Sequence, residues 1–233
     1  MYLRLAGIRH TTNVADIQKA PKSKVPYIQH GENLVGDSQL IIRYLENTFN
    51  VKKSAAGAVE KLGLSHAFVP YDQLSPTQKA KADMIRLTCD SDLYWAGIST
   101  RWGGAYGMCG DENHWTITVE KFFGDIPALI RPVLVRFIRG SVLRDAYGQG
   151  FCRHSPADQK YLVKRALSAL SVMLGSGPYF LGKAPSECDC VVYGTIEQYL
   201  ADYIWSSELG PYVREECPNL VEYCERIKST VFA

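Results

Sequence analysis

"VPYIQHGENLVGDSQLIIRYLE", residues 25–46, is the stretch on which the fold is read. Two short runs, VPYIQ and NLVG, flank HGE, a Gly-containing turn that suits a hairpin. From Asp37 the period changes, and Leu40, Ile41, Tyr44, Leu45 and Phe49 fall on one helical face. The stretch therefore reads strand, turn, strand, helix. Pro26 has no N–H to give a ladder, so it belongs at an edge or a special turn, and the spacing fits either isomer of the Val25–Pro26 bond. Asp37 and Ser38 stand where the helix begins. Its unpaired amides could receive an anion beside the Ser38 hydroxyl, or Asp37 could simply cap its own helix.

Upstream, MYLRLAGIRH looks like the end of a helix closed by Gly7, RHTTNVAD like a short strand, and KAPKSK like a polar loop. Downstream, residues 51–75 lack a sustained period and carry small, polar, Pro and Gly residues, which suits a linker with at most one short helix. Everything after it has helical spacing. Ser75-Pro76 and Ser155-Pro156 are both N-cap and first-turn pairs. The first opens a stripe of Ala80, Met84, Leu87, Ser91, Trp95 and Ile98; the second opens one of Leu162, Ala166, Ala169, Leu170 and Met173. Ser186, Glu187, Cys188 and Asp189 form a capping box ahead of the nearly continuous apolar run CVVYGTIEQYL, which predicts a central helix. The plan is a small α/β domain over 1–50, a linker over 51–75 and an all-helical domain over 76–233.

Composition narrows the function classes. The chain has 233 residues, 46% of them hydrophobic and 21% charged, enough for one large or two modest cores. A formal charge of +2 without any Lys/Arg run longer than a pair offers nucleic acid no basic face. Charges interrupt every apolar stretch well short of the roughly 20 residues of a membrane span. Seven scattered cysteines fit reduced core thiols in a cytoplasmic protein better than a disulfide framework. Cys188 and Cys190 are spaced CxC with no His near them in sequence, so no metal site is expected. Tyr94, Trp95, Arg101 and Trp102 gather rings and a cation at the end of one helix, either as the wall of an apolar pocket or as core. His154, beside a helix start, reads as a surface or capping residue because no nucleophile accompanies it.

The order of these parts, with GKAPSECD ahead of the central helix, resembles the glutathione transferase superfamily. LYWAGISTRW, GQGFCRHSPAD, PYFLGKAPSECDCVVYG and CPNLVEYCERIKS are similar to its branch of failed axon connections and metaxin proteins. The likeness runs over nearly the whole chain. It implies a thioredoxin-like N-terminal domain followed by an all-α C-terminal domain, with glutathione as co-substrate and a small electrophile as its acceptor. Val25 and Pro26 match the family's cis-proline step, whose backbone pairs with the cysteinyl part of glutathione. Asp37 and Ser38 match the pair that holds the γ-glutamyl group, and Lys22 or Lys24 would meet the glycine carboxylate. Tyr94, Arg101 and Trp102 would face the cleft between the domains. YLRLAGI matches the closing turns of the family's first helix, so the resemblance implies an incomplete thioredoxin-like domain and names no catalytic residue. It also admits a homodimer and, as the alternative to an enzyme, a metaxin-like interaction scaffold.

Overall fold

The structure is a computed structural model that describes residues 1–16, 19–23, 25–64, 66–103, 107–108, 112–201 and 209–233. Lys24 lies outside the described residues. The first helix, α1 (Tyr2–Leu5), ends at Gly7, whose φ of +66° is the left-handed conformation open to glycine. A side chain there would also collide with the chain, since a Cβ would lie 2.4 Å from the Ser54 carbonyl oxygen. Residues 9–16 do not form the expected strand. They run as irregular chain, and the Tyr27 hydroxyl bridges the Asp16 N–H and carbonyl at 3.2 Å.

The hairpin is present. Strands β1 (Tyr27–His30) and β2 (Asn33–Gly36) pair antiparallel, with Ile28 opposite Val35 and His30 opposite Asn33 across a two-residue turn at Gly31 and Glu32. Helix α2 (Ser38–Thr48) follows directly, and it buries Ile41, Ile42 and Leu45. Leu40, placed on that face by the sequence, is exposed instead. At 100° per residue, the buried arc centres between Ile41 and Ile42, which leaves Leu40 on the far side. The expected linker begins as a three-turn helix, α3 (Val51–Leu62), with Ser54 donating to the Ala6 carbonyl at 2.5 Å.

The helical domain begins with α4 (Pro76–Thr88), capped by Ser75 and Gln78 as reciprocal partners. A π-helical turn at Cys89–Leu93 joins it to α5 (Tyr94–Gly103). The buried stripe here is Ala82, Ile85, Cys89, Leu93 and Ala96, whereas Met84 and Leu87 face solvent. This corrects the stripe read from the sequence, in which both faces carry apolar residues and nothing marks the π turn. Then come α6 (Glu112–Phe123), α7 (Arg131–Gln149), α8 (Pro156–Leu174), α9 (Glu187–Leu200), α10 (Leu209–Glu216) and α11 (Pro218–Val231). The α8 stripe is also shifted, to Val163, Ala166, Leu167, Leu170 and Leu174.

Helix α9 is central, as its apolar run predicts. Its capping carboxylate, Asp189, is fully buried and accepts from the Ser186 N–H (2.8 Å), the Ser186 hydroxyl (2.7 Å), the Phe180 N–H (3.1 Å) and the Tyr223 hydroxyl (3.2 Å). One hydrophobic cluster runs from Tyr2 and Leu5 through Ile85, Leu167 and Ile196 to Ile227, so the α/β part and the helices share a core. The fold is a small thioredoxin-like α/β element joined to an all-helical domain.

Candidate functional site

The Val25–Pro26 bond is cis. The Pro26 carbonyl accepts from the Asp37 N–H at 3.3 Å, and this bond extends the pairing of Tyr27 with Gly36 by one step. It therefore brings the Val-Pro step beside the start of α2. Asp37 has φ of +77°, and its carboxylate accepts from the Gln39 N–H (3.0 Å) and the Leu40 N–H (3.4 Å). The capping reading of Asp37 is thus realised. Its neighbour remains open: the Ser38 hydroxyl and N–H, and the N–H and C=O of Val25, have no partner among the described residues. The turn Pro21–Ser23 lies against Gly36, where a Cβ would be 3.0 Å from the Pro21 Cβ, and it carries exposed Lys22 at φ +59°.

These groups can do particular chemistry. The first turn of a helix carries partial positive charge and unbonded N–H groups, so Ser38 offers a carboxylate an amide and a hydroxyl together. Val25 offers an extended peptide a donor and an acceptor on one edge. A small peptide with terminal carboxylates fits this set of donors, with Lys22 as a cation nearby.

Sequence reasoning missed the helix facing this corner. Asp90, in the π-helical turn, is ion-paired with Arg86 at 3.2 Å. Burial raises its pKa, Arg86 opposes the rise, and the charge of Asp37 adds to it. The i,i+4 spacing of Arg86 and Asp90 was visible in the sequence, but their approach to Asp37 was not.

Tyr94, Arg101 and Trp102 make their contacts within the helical domain, with Tyr94 close enough to Arg101 to favour its charge. Tyr94 is 54% exposed and meets Trp95 edge-on. Arg101 donates to the Gln198 side chain, and burial lowers its pKa. Trp102 packs against Trp115 and Phe123 inside the helical domain. Burial raises the pKa of both the Cys188 and the Cys190 thiol well above the ordinary range. A separate groove of about 600 Å³ runs between residues 8–15 and β1, with Leu3, Leu45 and Phe49 among its apolar lining. Neither Val25 nor Ser38 lines it.

Below the corner the two parts of the fold meet through charged groups. Glu46 of α2 accepts from the Tyr2 hydroxyl (3.3 Å) and the Tyr71 N–H (3.4 Å), and the Tyr71 hydroxyl donates to Asp83 at 2.8 Å. Glu187, in the first turn of α9, faces this group. Burial first, and the charge of Glu46 second, push its carboxyl up to about 7.

The chain is similar to known proteins along most of its length. Residues 1–113 match the family model "Glutathione S-transferase N-terminal domain", and residues 163–227 match "Glutathione S-transferase, C-terminal domain". The chain is 30% identical to isoprene-epoxide–glutathione S-transferase of Rhodococcus sp. (strain AD45), over 97% of this chain and 87% of that protein. It is 25% identical to metaxin-2 of Mus musculus, over 91% of this chain and 72% of the relative. With failed axon connections of Drosophila melanogaster the identity is 23%, over 99% of this chain and 52% of the relative. No solved structure matches the chain significantly.

Proposed function

Because the chain belongs to the glutathione S-transferase superfamily, on its metaxin-like branch, we propose that it binds glutathione at Val25, Pro26, Asp37 and Ser38. The observation that carries this reading is the open Ser38 hydroxyl and amide at the start of α2, set beside the open backbone of Val25. The γ-glutamyl carboxylate takes the Ser38 groups, and the cysteinyl unit pairs with Val25. Lys22 or Lys24 meets the glycine carboxylate.

In the enzyme reading, the bound thiol is turned toward a small electrophile. Its sulfur forms a bond to carbon as a carbon–oxygen bond opens, and the released oxygen takes a proton. The Rhodococcus relative, named for joining glutathione to isoprene epoxide, supports an acceptor of that kind. The role of this chain's own residues is to bind and orient. Tyr94, Arg101 and Trp102 belong to the acceptor side of this reading, with Tyr94 the one that stands open to solvent.

The second reading is a non-catalytic scaffold, which the likeness to metaxin-2 and failed axon connections supports. Titration calorimetry separates the two. Glutathione binding that Ser38→Ala weakens about tenfold or more, the scale of a hydrogen bond to a charged group, supports the first. Absence of binding by the wild-type chain leaves the scaffold.

A further inference from the structure

We propose that Arg86 is a positioning residue with two alternative partners: it neutralises Asp90 beside the candidate site while Glu187 is protonated, and turns to Glu187 when that carboxyl ionises. The affinity of the site for a carboxylate then follows the charge on Glu187. This consequence rests on the glutathione reading above; the exchange of partners does not.

Arg86 stands on α4 one turn before Asp90, and its Nη1 donates to the Asp90 carboxylate at 3.2 Å. The rest of the guanidinium has no partner among the described residues. Together with Tyr71, Asp83 and Glu187, Arg86 lines a small cavity between α4 and α9. Asp83 is already engaged there, since it accepts from the Tyr71 hydroxyl at 2.8 Å. Glu187 has no hydrogen bond or ion pair among the described residues. One cation thus serves two carboxylates and holds only Asp90.

Depth decides which carboxylate wins. The Asp90 side chain is 49% exposed, and an exposed i,i+4 pair contributes little because water solvates each charge nearly as well. Glu187 is half-buried, and it faces Tyr2 of α1, Glu46 of α2, Tyr71, and Asp83 of α4. Asp72 adds its charge at Glu46, and Cys188, Asp189 and Cys190 are the titratable neighbours on α9 itself. None of these is a cation, so an ionised Glu187 without Arg86 costs more than an Asp90 left to water. Burial first, and the charge of Glu46 second, keep Glu187 protonated up to about 7, which places the exchange near neutral pH. Once Arg86 has turned away, Asp90 faces Asp37 without its counter-ion, and both negative charges oppose a carboxylate at Ser38.

NMR of the wild-type chain, following carboxyl-carbon and arginine Nε resonances from about pH 5 to about pH 9, tests the exchange. Arg86 and Asp90 should shift together at the Glu187 midpoint, near 7. In Glu187→Gln that inflection should vanish, with Arg86 held at its low-pH position. Arg86 and Asp90 resonances that stay still across the wild-type Glu187 titration overturn the proposal, and so does an inflection that survives in Glu187→Gln. Calorimetry then reads the site with glutathione and with glutaryl-cysteinylglycine, which keeps the carboxylate but lacks the ammonium that negative charge attracts. The analogue should bind the wild type about three- to tenfold more weakly at about pH 8.5 than at about pH 5.5, and Glu187→Gln equally at both. Equal wild-type affinity overturns the coupling to the site, as does a change that Glu187→Gln retains. If neither ligand binds at either pH, the glutathione reading fails, and the resonances alone decide the exchange of partners.

Discussion

Replacing Glu187 by Gln removes a charge that the fold accommodates poorly, and the effect on stability depends on pH in a defined direction. Glu187 lies half-buried in the first turn of α9, facing Glu46 and Asp83, with Arg86 as the nearby cation. Its carboxyl is raised from an ordinary 4.5 to about 7, chiefly by burial. Below pH 4.5 the group is protonated both folded and unfolded, and its contribution to stability is fully present. Between 4.5 and about 7 the unfolded chain releases this proton first, so the native state holds more protons and stability falls as pH rises. Above about 7 the loss is complete. Moving a pKa from 4.5 to about 7 corresponds to at most about 3.4 kcal/mol. Partial access to water and the favourable end of α9 reduce this to about 1–2 kcal/mol.

Glu187→Gln keeps the shape of the neutral acid. At pH 8 it should be more stable than the wild type by about 1–2 kcal/mol, or about 2–8 °C in Tm for a chain of this size. Near pH 4.5 the two should coincide. Urea unfolding followed by circular dichroism at both pH values measures the difference. A variant less stable than the wild type at pH 8, or one with the same pH dependence, would refute the argument.

Other substitutions test the fold more directly. Asp189→Ala leaves the Phe180 and Ser186 amides buried without their acceptor, while the Tyr223 hydroxyl keeps only the backbone carbonyl at position 189. It should lose about 3 kcal/mol or more by urea titration, whereas Tyr223→Phe, which removes a single donor, should lose about 1. Gly7→Ala must adopt φ of +66° with its Cβ against the Ser54 carbonyl, so a loss of about 2 kcal/mol or more in the same assay is expected, together with faster proteolysis around α1. Ser38→Ala, by contrast, removes a hydroxyl without partners among the described residues and should leave unfolding within about 0.5 kcal/mol of wild type while weakening glutathione binding.

What could be read in advance was what the chain specifies locally. The Gly31 turn, the Asp37 cap, the Ser75 and Ser155 starts and the Ser186–Asp189 box each depend on residues within four positions of one another, and all stand in the structure. Face assignments fared worse. Leu40, Met84 and Leu87 are apolar on the solvent side, and periodicity alone cannot reject them when both sides of a helix are apolar. The segment RHTTNVAD has β-branched residues but no ladder partner among the described residues, and a strand is defined by pairing as much as by propensity.

The Val-Pro and Asp-Ser steps of the candidate site were legible because one hairpin joins them. Asp90 beside Asp37, and Glu187 beside Glu46, were not, because only tertiary packing brings distant segments together. Arg101 and Trp102 were read as a cluster from adjacency in sequence. In the fold Arg101 lies near Tyr94 and donates to Gln198, and Trp102 packs against Trp115 and Phe123.

The π-helical turn at Cys89–Leu93 sets the phase between two stretches of one long helix. Removing one residue from it would rotate α5 by about 100° against α4. That rotation would carry Arg101 and Trp102 away from their partners while leaving Arg86 and Asp83 facing Tyr71 and Glu187. The turn is therefore a point at which the chain counts its residues. Substitution there is a local matter of packing, but a change in length by a single residue re-addresses every side chain that follows on α5.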